Sequence, residues 1–282
     1  MTYVQERAAA PARREDPADE FLRSFGRQIK LFRERAGLTQ TEAGKRLGYG
    51  EQTIAAIEQG RRIPRPELIE KADELFDAGG VLLAMKKEVA RTRYPAFFRD
   101  AARIEEEAVE FHAYAVMAVP GLLQTEEYAG TMFTVWRPRR TEAEIDQMVA
   151  ARLARHKIYE RKPAPTLSFV IEEAVLQRPF GGASVLRGQL EHLLLTGDNP
   201  NVEIQVMPTS VTDHACADGP FTLMTPRGGE QVAYLGAQGT GRVITDRETV
   251  RGISVRYGIL RAQALSPAES LRHIEKLLQG EL

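Results

Sequence analysis

Residues 37–60 read "GLTQTEAGKRLGYGEQTIAAIEQG", and no other stretch limits the fold as strongly. Thr39 and Glu42 stand three apart before an apolar-periodic run. In that S/T-x-x-E box each side chain satisfies a backbone donor of the first helical turn. Ala43 and Leu47 face inward, and Gly48 stops the helix. Only "GYG" separates it from a second helix, which turns Ile54 and Ile57 inward and ends at Gly60. Two short helices joined by a three-residue turn containing glycine carry the helix-turn-helix signature. An earlier helix is predicted from Ser24, with Phe25, Ile29 and Phe32 on one face and Gly37 at its end. After "RRIPRP", two more helices are predicted over Pro66–Phe76 and Val81–Arg91.

Charge is unevenly spread. The net charge is −1, yet Ser24–Pro66 holds nine Lys/Arg against four Glu, while residues 96–282 hold 20 basic against 24 acidic. A basic module joined to an acidic one suits a protein that meets a polyanion at one end. The single cysteine, Cys216, rules out an internal disulfide, and no metal cluster is expected. With no apolar run of about 18 residues and no secretory h-region, the chain reads as cytoplasmic, with no membrane partner.

The remaining organisation follows from periodicity. Residues 1–23 are rich in Ala, Pro and charge and read as a disordered arm. Residues 24–92 form the helix-turn-helix domain and 93–282 a regulatory and dimerisation domain, helical over 93–162 and α/β over 166–282. Thr125 is a predicted N-cap, and Thr141 with Glu144 a second capping box opening a helix to about Arg161. "KPAP" ends the helical part. Short β-rich runs then follow: "TLSFVI", "VEIQVM", "PFTLMT" and "QVAYLG". The first two flank the amphipathic "GASVLRGQLEHLLLTG", which predicts a parallel crossover pair. The next two flank "PRGGE", which predicts a hairpin. Helices at about 246–263 and 266–279 close the chain. The expected class is α+β: an all-α N-terminal domain, a helical segment, and a small mixed β-sheet with packed helices.

The first module resembles the lambda-repressor-like, or Xre, helix-turn-helix family. The matching pieces are Gly37, Leu38-Thr39-Gln40, Leu47-Gly48, and Ile57-Glu58-Gln59-Gly60 followed by Arg61 and Arg62. The resemblance implies DNA binding by Thr39, Gln40, Gly50, Glu51, Gln52, Thr53, Ala56, Arg61 and Arg62. Gln40 falls where the family bonds a phosphate beside free helix amides. Glu51, Gln52 and Ala56 fall where it meets base edges, and Gly50 and Thr53 where it touches backbone or a thymine methyl. Arg61 and Arg62 fall where it meets phosphates. Glu58 reads as structural, tied to backbone or to an arginine. Gln52 suits a bidentate pair with adenine and Glu51 accepts from cytosine, whereas Ala55 and Ala56 offer apolar contact alone. One half-site read this sparingly needs a second, hence an expected homodimer on double-stranded DNA. The chain departs from the family at Glu51, where most members place Arg, Ser or Gln. It departs again at Ala43-Gly44, where a larger residue followed by alanine is usual, which is expected to loosen helix packing.

The rest of the chain resembles a domain of unknown function that follows the Xre module in actinobacterial Scr1-type antitoxin-like and WhiJ-like regulators. The resemblance rests on "VPGLLQTEEYAG", "EEAVLQRPFGG" with "LRGQLEHLL", "PNVEIQVMP", "GPFTL" and "ALSPAES", in that order. It implies a transcriptional regulator, often encoded beside a small protein partner. An unknown small-molecule ligand is the other expected signal. Gly236 stands where the family often carries an acid.

No catalytic residue and no cofactor is expected. Glu172 and Glu173, read as neighbours on a strand, point to opposite faces and make no carboxylate pair. "DHAC" reads as an exposed loop, and "GAQGTG" lacks the phosphate-loop Lys-Ser/Thr and reads as a flexible loop. The stretch Phe111–Trp136 lines a pocket or a partner groove, or is ordinary core. In "EEAVLQRPFGG", Gly181 and Gly182 permit unusual backbone geometry. Glu173 and Arg178 form a charged lip there or simply pair with each other. These four are the candidate ligand or partner residues. The resulting reading is a regulator whose C-terminal domain receives a ligand or partner. Its rivals are an antitoxin-like protein that sequesters a partner and autoregulates, and an enzyme tethered to DNA.

Overall fold

The computed structural model describes residues 17–92, 99–237 and 240–280. The chain divides into two compact units, Met1–Thr92 and Arg93–Leu282.

The first unit is helical: α1 Pro17–Arg35, α2 Gln40–Leu47, α3 Glu51–Glu58, α4 Pro66–Leu75, α5 Val81–Ala84 and α6 Lys86–Arg91. Helix α1 begins at Pro17, so residues 17–23, expected within the arm, are helical; residues 1–16 lie outside the described residues. The apolar stripe runs further back than Ser24, because Ala18 and Leu22 continue the Phe25–Ile29 face at spacings of four and three, and all four are buried. Both capping-box bonds at Thr39 and Glu42 are present. Ala43, Leu47, Ile54 and Ile57 join Phe25, Ile29, Leu68, Ile69 and Phe76 in one core. The helix predicted over 81–91 is interrupted at Met85, which caps α5 and opens α6.

Ala43-Gly44 does not loosen this packing. A Cβ on Gly44 would lie 2.6 Å from the Tyr49 carbonyl oxygen, and Tyr49 N–H donates to the Gly44 carbonyl at 2.8 Å. The absent side chain lets the chain leaving α2 fold back onto it. Gly26 does the same for α1, where a Cβ would sit 2.5 Å from the Ile57 carbonyl oxygen.

The second unit is α+β. In order it holds α7 Arg99–Glu107, β1 Ala108–Ala115, α8 Glu126–Thr134, α9 Glu142–Ala154, β2 Thr166–Glu172, α10 Glu173–Gln177 and α11 Ala183–Gly197. It continues with β3 Val202–Met207, β4 Phe221–Pro226, β5 Val232–Ala237, β6 Thr240–Ile244, α12 Arg247–Gln263 and α13 Pro267–Gln279. The sheet order is β3-β2-β1-β4-β5-β6. The β3–β2 and β2–β1 pairs are parallel, whereas the β1–β4, β4–β5 and β5–β6 pairs are antiparallel. The predicted crossover and hairpin are both present, as are the caps at Thr125 and Thr141. The α9 helix gives way at Arg155 to 3-10 turns that run to Glu160.

Strand β1 corrects the reading of 93–162 as all helical, for the residues described. "AVEFHAYA" alternates: Phe111 and Ala113 enter the core beneath α10, α11 and α13, while Tyr114 enters the core beneath α12. Acidic neighbours and alanines disguised a strand buried on both faces. Strand β6 corrects the reading of "GAQGTG" as a loop, since Gly236 pairs with Gly241 and Ala237 with Thr240; Gln238 and Gly239 lie outside the described residues. Within Phe111–Trp136, Tyr114, Leu122 and Tyr128 are buried core, and Met117 is exposed.

Candidate nucleic-acid interface

Helix α3 is short because Gly50 caps its start and Gln59–Gly60 its end. Its inner residues, Ile54 and Ile57, are 2% and 3% exposed, which fixes its rotation. Glu51 and Gln52 are left fully outward, with Thr53, Ala55 and Ala56 half-buried beside them. The N-termini of α2 and α3 lie together, because the Thr41 hydroxyl donates to Glu51 Oε2 at 2.6 Å. Thr39, Gly50, Glu51 and Gln52 are therefore exposed at one end of the helix pair, where free backbone N–H groups and positive helix ends attract anions. Arg61 and Arg62 are exposed beyond α3. Their backbone N–H groups fold back to the Ala56 carbonyl at 2.8 and 3.2 Å, which tethers both to α3. Arg61 Nε meets Gln59 Oε1 at 2.7 Å.

A buried ion pair holds this arrangement. Arg33 of α1 donates to Glu58 of α3 through Nε at 2.5 Å and Nη2 at 3.0 Å, and Nη1 reaches the Leu38 carbonyl at 2.6 Å. The hydrogen bond to Glu58 raises the guanidinium pKa against the opposing effect of burial. Glu58 is thus tied to an arginine, as its position implied. Gln40 Nε2 also donates to Glu58 Oε2, at 2.7 Å. The side chain expected beside a phosphate thereby belongs to the same tie between α1, α2 and α3. Sequence reading missed Arg33 and Thr41 as members of this site. A lone arginine in the apolar α1 face, buried to 5% exposure, was the available signal for the first.

The candidate residues of the second unit are not gathered. Glu173 opens α10 rather than lying on a strand, and its carboxylate accepts from Thr209 N and Oγ1 at 2.8 and 2.7 Å. Burial pushes its pKa up, but these hydrogen bonds and the nearby His273 outweigh that and hold it below the usual range. The Arg178 guanidinium instead sits over the Phe180 ring, 5.8 Å from its centroid, so the two charges take different partners. Gly181 and Gly182 both adopt left-handed φ, 77° and 97°. A Cβ on Gly181 would lie 2.6 Å from Thr131 Oγ1, so its bareness serves packing against α8. The "DHAC" loop is not exposed at His214 and Cys216. His214 Nε2 meets Glu172 Oε1 at 2.9 Å, Tyr114 Oη donates to the same oxygen at 2.7 Å, and Cys216 is buried.

The fold and these positions define a helix-turn-helix protein with a second, α+β domain. Residues 24–85 match the helix-turn-helix domain family. Residues 98–276, more than half of the chain, match the domain of unknown function DUF5753, and the chain belongs to that family. It is also similar to the HTH-type transcriptional regulator ImmR of Bacillus subtilis (strain 168), 31% identical over 68 residues. That match covers 24% of this chain and 54% of ImmR, so the chain spans about half the length of the curated relative it matches. No solved structure matches the chain. No described helix is long and apolar enough to cross a membrane.

Proposed function

We propose that this protein is a sequence-specific DNA-binding transcriptional regulator. It places α3 in the major groove as a homodimer and receives a ligand or small partner protein on its C-terminal domain. The observation that carries this reading is the outward Glu51–Gln52 pair on a helix whose inner face is locked by Ile54 and Ile57. Thr39, Gln40, Arg61 and Arg62 position the module on backbone, Gly50 and Thr53 touch backbone or a thymine methyl, and Glu51, Gln52 and Ala56 face the base edges. Gln52 is the one side chain there suited to a bidentate adenine contact. A signal at the C-terminal domain changes DNA affinity only by as much as it distinguishes DNA-competent from other states.

The test is binding to the DNA upstream of its own reading frame, followed by fluorescence anisotropy across salt concentrations, beside Gln52→Ala. The expected result is specific binding that weakens steeply with salt. The variant should lose about 1–3 kcal/mol of sequence preference while keeping its affinity for random duplex. A wild type that prefers no sequence in that assay overturns the reading.

A further inference from the structure

A hollow of about 570 Å³ lies between the β5–β6 hairpin, the first half of α12 and the loop that enters β4. That size is in the range of small-molecule pockets, about 300–1,000 Å³. Pairing of Leu235 with Arg242 and of Ala233 with Ile244 sets the orientation of the hairpin. Ala233 and Ile244 belong to the core under α12, so Leu235 and Arg242, two residues along each strand, face the same way. From α12, Ile253 and Arg256 line the opposite wall. The floor is therefore apolar, with Phe221, Ile253 and a Leu235 that is still 40% exposed.

The rim is cationic. Arg256 Nη1 meets Asp218 Oδ2 at 3.0 Å, on a carboxylate whose side chain is 82% exposed. Arg242 is exposed, and its side chain has no hydrogen-bond or ion-pair partner among the described residues. Two guanidinium groups against one loosely held carboxylate leave the hollow with positive charge to spare. The wall is also preformed. Cys216 N–H donates to His214 Nδ1 at 3.1 Å, which leaves the proton of a neutral ring on Nε2 for Glu172. Phe221 packs against the rings of Tyr114 and Tyr257. Loop and sheet are thus pinned together before anything enters.

We propose that this hollow binds a small amphipathic anion, an organic carboxylate on an apolar body. The body covers Leu235, Ile253 and Phe221, and the head group lies between Arg242 and Arg256. The charge-assisted bonds to the guanidinium forks supply orientation, and the apolar floor supplies most of the affinity. This assignment rests on the reading that the C-terminal domain receives a signal, and names the chemistry of that signal.

The test titrates the full chain, without DNA, with anilinonaphthalenesulfonate, an apolar anion whose emission rises in a dry site. The uncharged phenylnaphthylamine serves as its counterpart. One equivalent of the anion is expected to bind, and the uncharged probe to bind roughly tenfold more weakly. Arg242→Glu and Leu235→Glu are each expected to weaken the anion by about tenfold or more, with unchanged thermal melting. Arg187→Glu, on the outer face of α11, leaves it unchanged. Decanoate displaces the probe and decylammonium does not. Equal affinity for both probes, insensitivity to both pocket variants, or displacement by the cation as readily as by the acid overturns the proposal. Because no DNA is present, such a failure leaves operator binding untouched. Loss of operator preference with this titration intact would count against the regulator reading instead.

Discussion

Thr41 on α2 and Glu51 at the first position of α3 are joined by a hydrogen bond of 2.6 Å, hydroxyl to carboxylate. The bond orients the one acidic group on the outward end of α3, and in the proposed DNA-bound arrangement it leaves the negative charge where phosphates approach. Glu51→Gln keeps an acceptor for Thr41 and removes that charge. Coulomb energy between unit charges at about 4 Å in water is about 1 kcal/mol. The variant is therefore expected to bind random duplex about threefold to fivefold more tightly at low salt. The gain should fade as salt screens it. Anisotropy titrations with a random duplex at two salt concentrations check this, and an unchanged affinity would place Glu51 away from the phosphates.

The Arg33–Glu58 pair is enclosed, with side chains 7% and 2% exposed. Breaking such a pair strands a charge, at a cost of about 3–5 kcal/mol, whereas replacing both partners by apolar groups is often neutral. Glu58→Leu alone and Arg33→Met alone should each lower the stability of the helix-turn-helix unit by that amount, and the double variant should recover most of it. Denaturant unfolding of the full chain, read at the transition assigned to that unit, measures the cycle. Additive losses would mean that the pair is not the tie described.

Gly44 sets helix propensity against packing. In an exposed helix, Gly→Ala stabilises by about 1 kcal/mol. At Gly44 a Cβ would meet the Tyr49 carbonyl oxygen at 2.6 Å, and backbone cannot swing aside as a side chain would. Gly44→Ala is expected to destabilise, by roughly 1–3 kcal/mol as overpacking usually does. A rise in melting temperature would show that the turn relaxes freely.

Gly44 also marks where sequence reading stops. The capping residues, the turn and the inward isoleucines were legible because each acts locally, through periodicity or a bond three residues away. The worth of Gly44 depends on a carbonyl brought back by the turn, and that of Arg33 on a carboxylate 25 residues distant. Neither distance leaves a periodic trace. The same holds for β1. Its alanines, glutamate and histidine have weak strand preference, and its place beside β2 and β4 comes from residues 50 and more positions away. The β2–α11–β3 crossover was legible because each strand is a short run rich in β-branched residues and bounded by turn residues. In the second unit, Glu173 and Arg178 were suggestive by composition. Thr209, His273 and Phe180 claimed them by tertiary contact.

His156 predicts an acid-sensitive second unit. Its ring is half-buried and lies 6.1 Å from that of His192 at an interplanar angle of 23°. Its Nε2 is buried without a hydrogen-bond partner. Burial first, then His192, Arg155 and Arg152, push its pKa down to about 4, and burial lowers that of His192 as well. In the unfolded chain a histidine titrates near its ordinary value of about 6.5. Between pH 6.5 and about 4 the unfolded chain therefore binds a proton that the folded chain refuses. Stability is fully present above that window and falls as pH drops through it. The whole shift would carry about 3 kcal/mol. Partial exposure of the ring discounts this to roughly 1–2 kcal/mol. His156→Phe keeps an aromatic ring and removes the titrating group, so its melting temperature should fall less than that of the wild type between pH 7 and 4.5. Calorimetry at matched ionic strength makes the comparison. Equal falls in the two proteins would assign the acid sensitivity to the carboxylates instead.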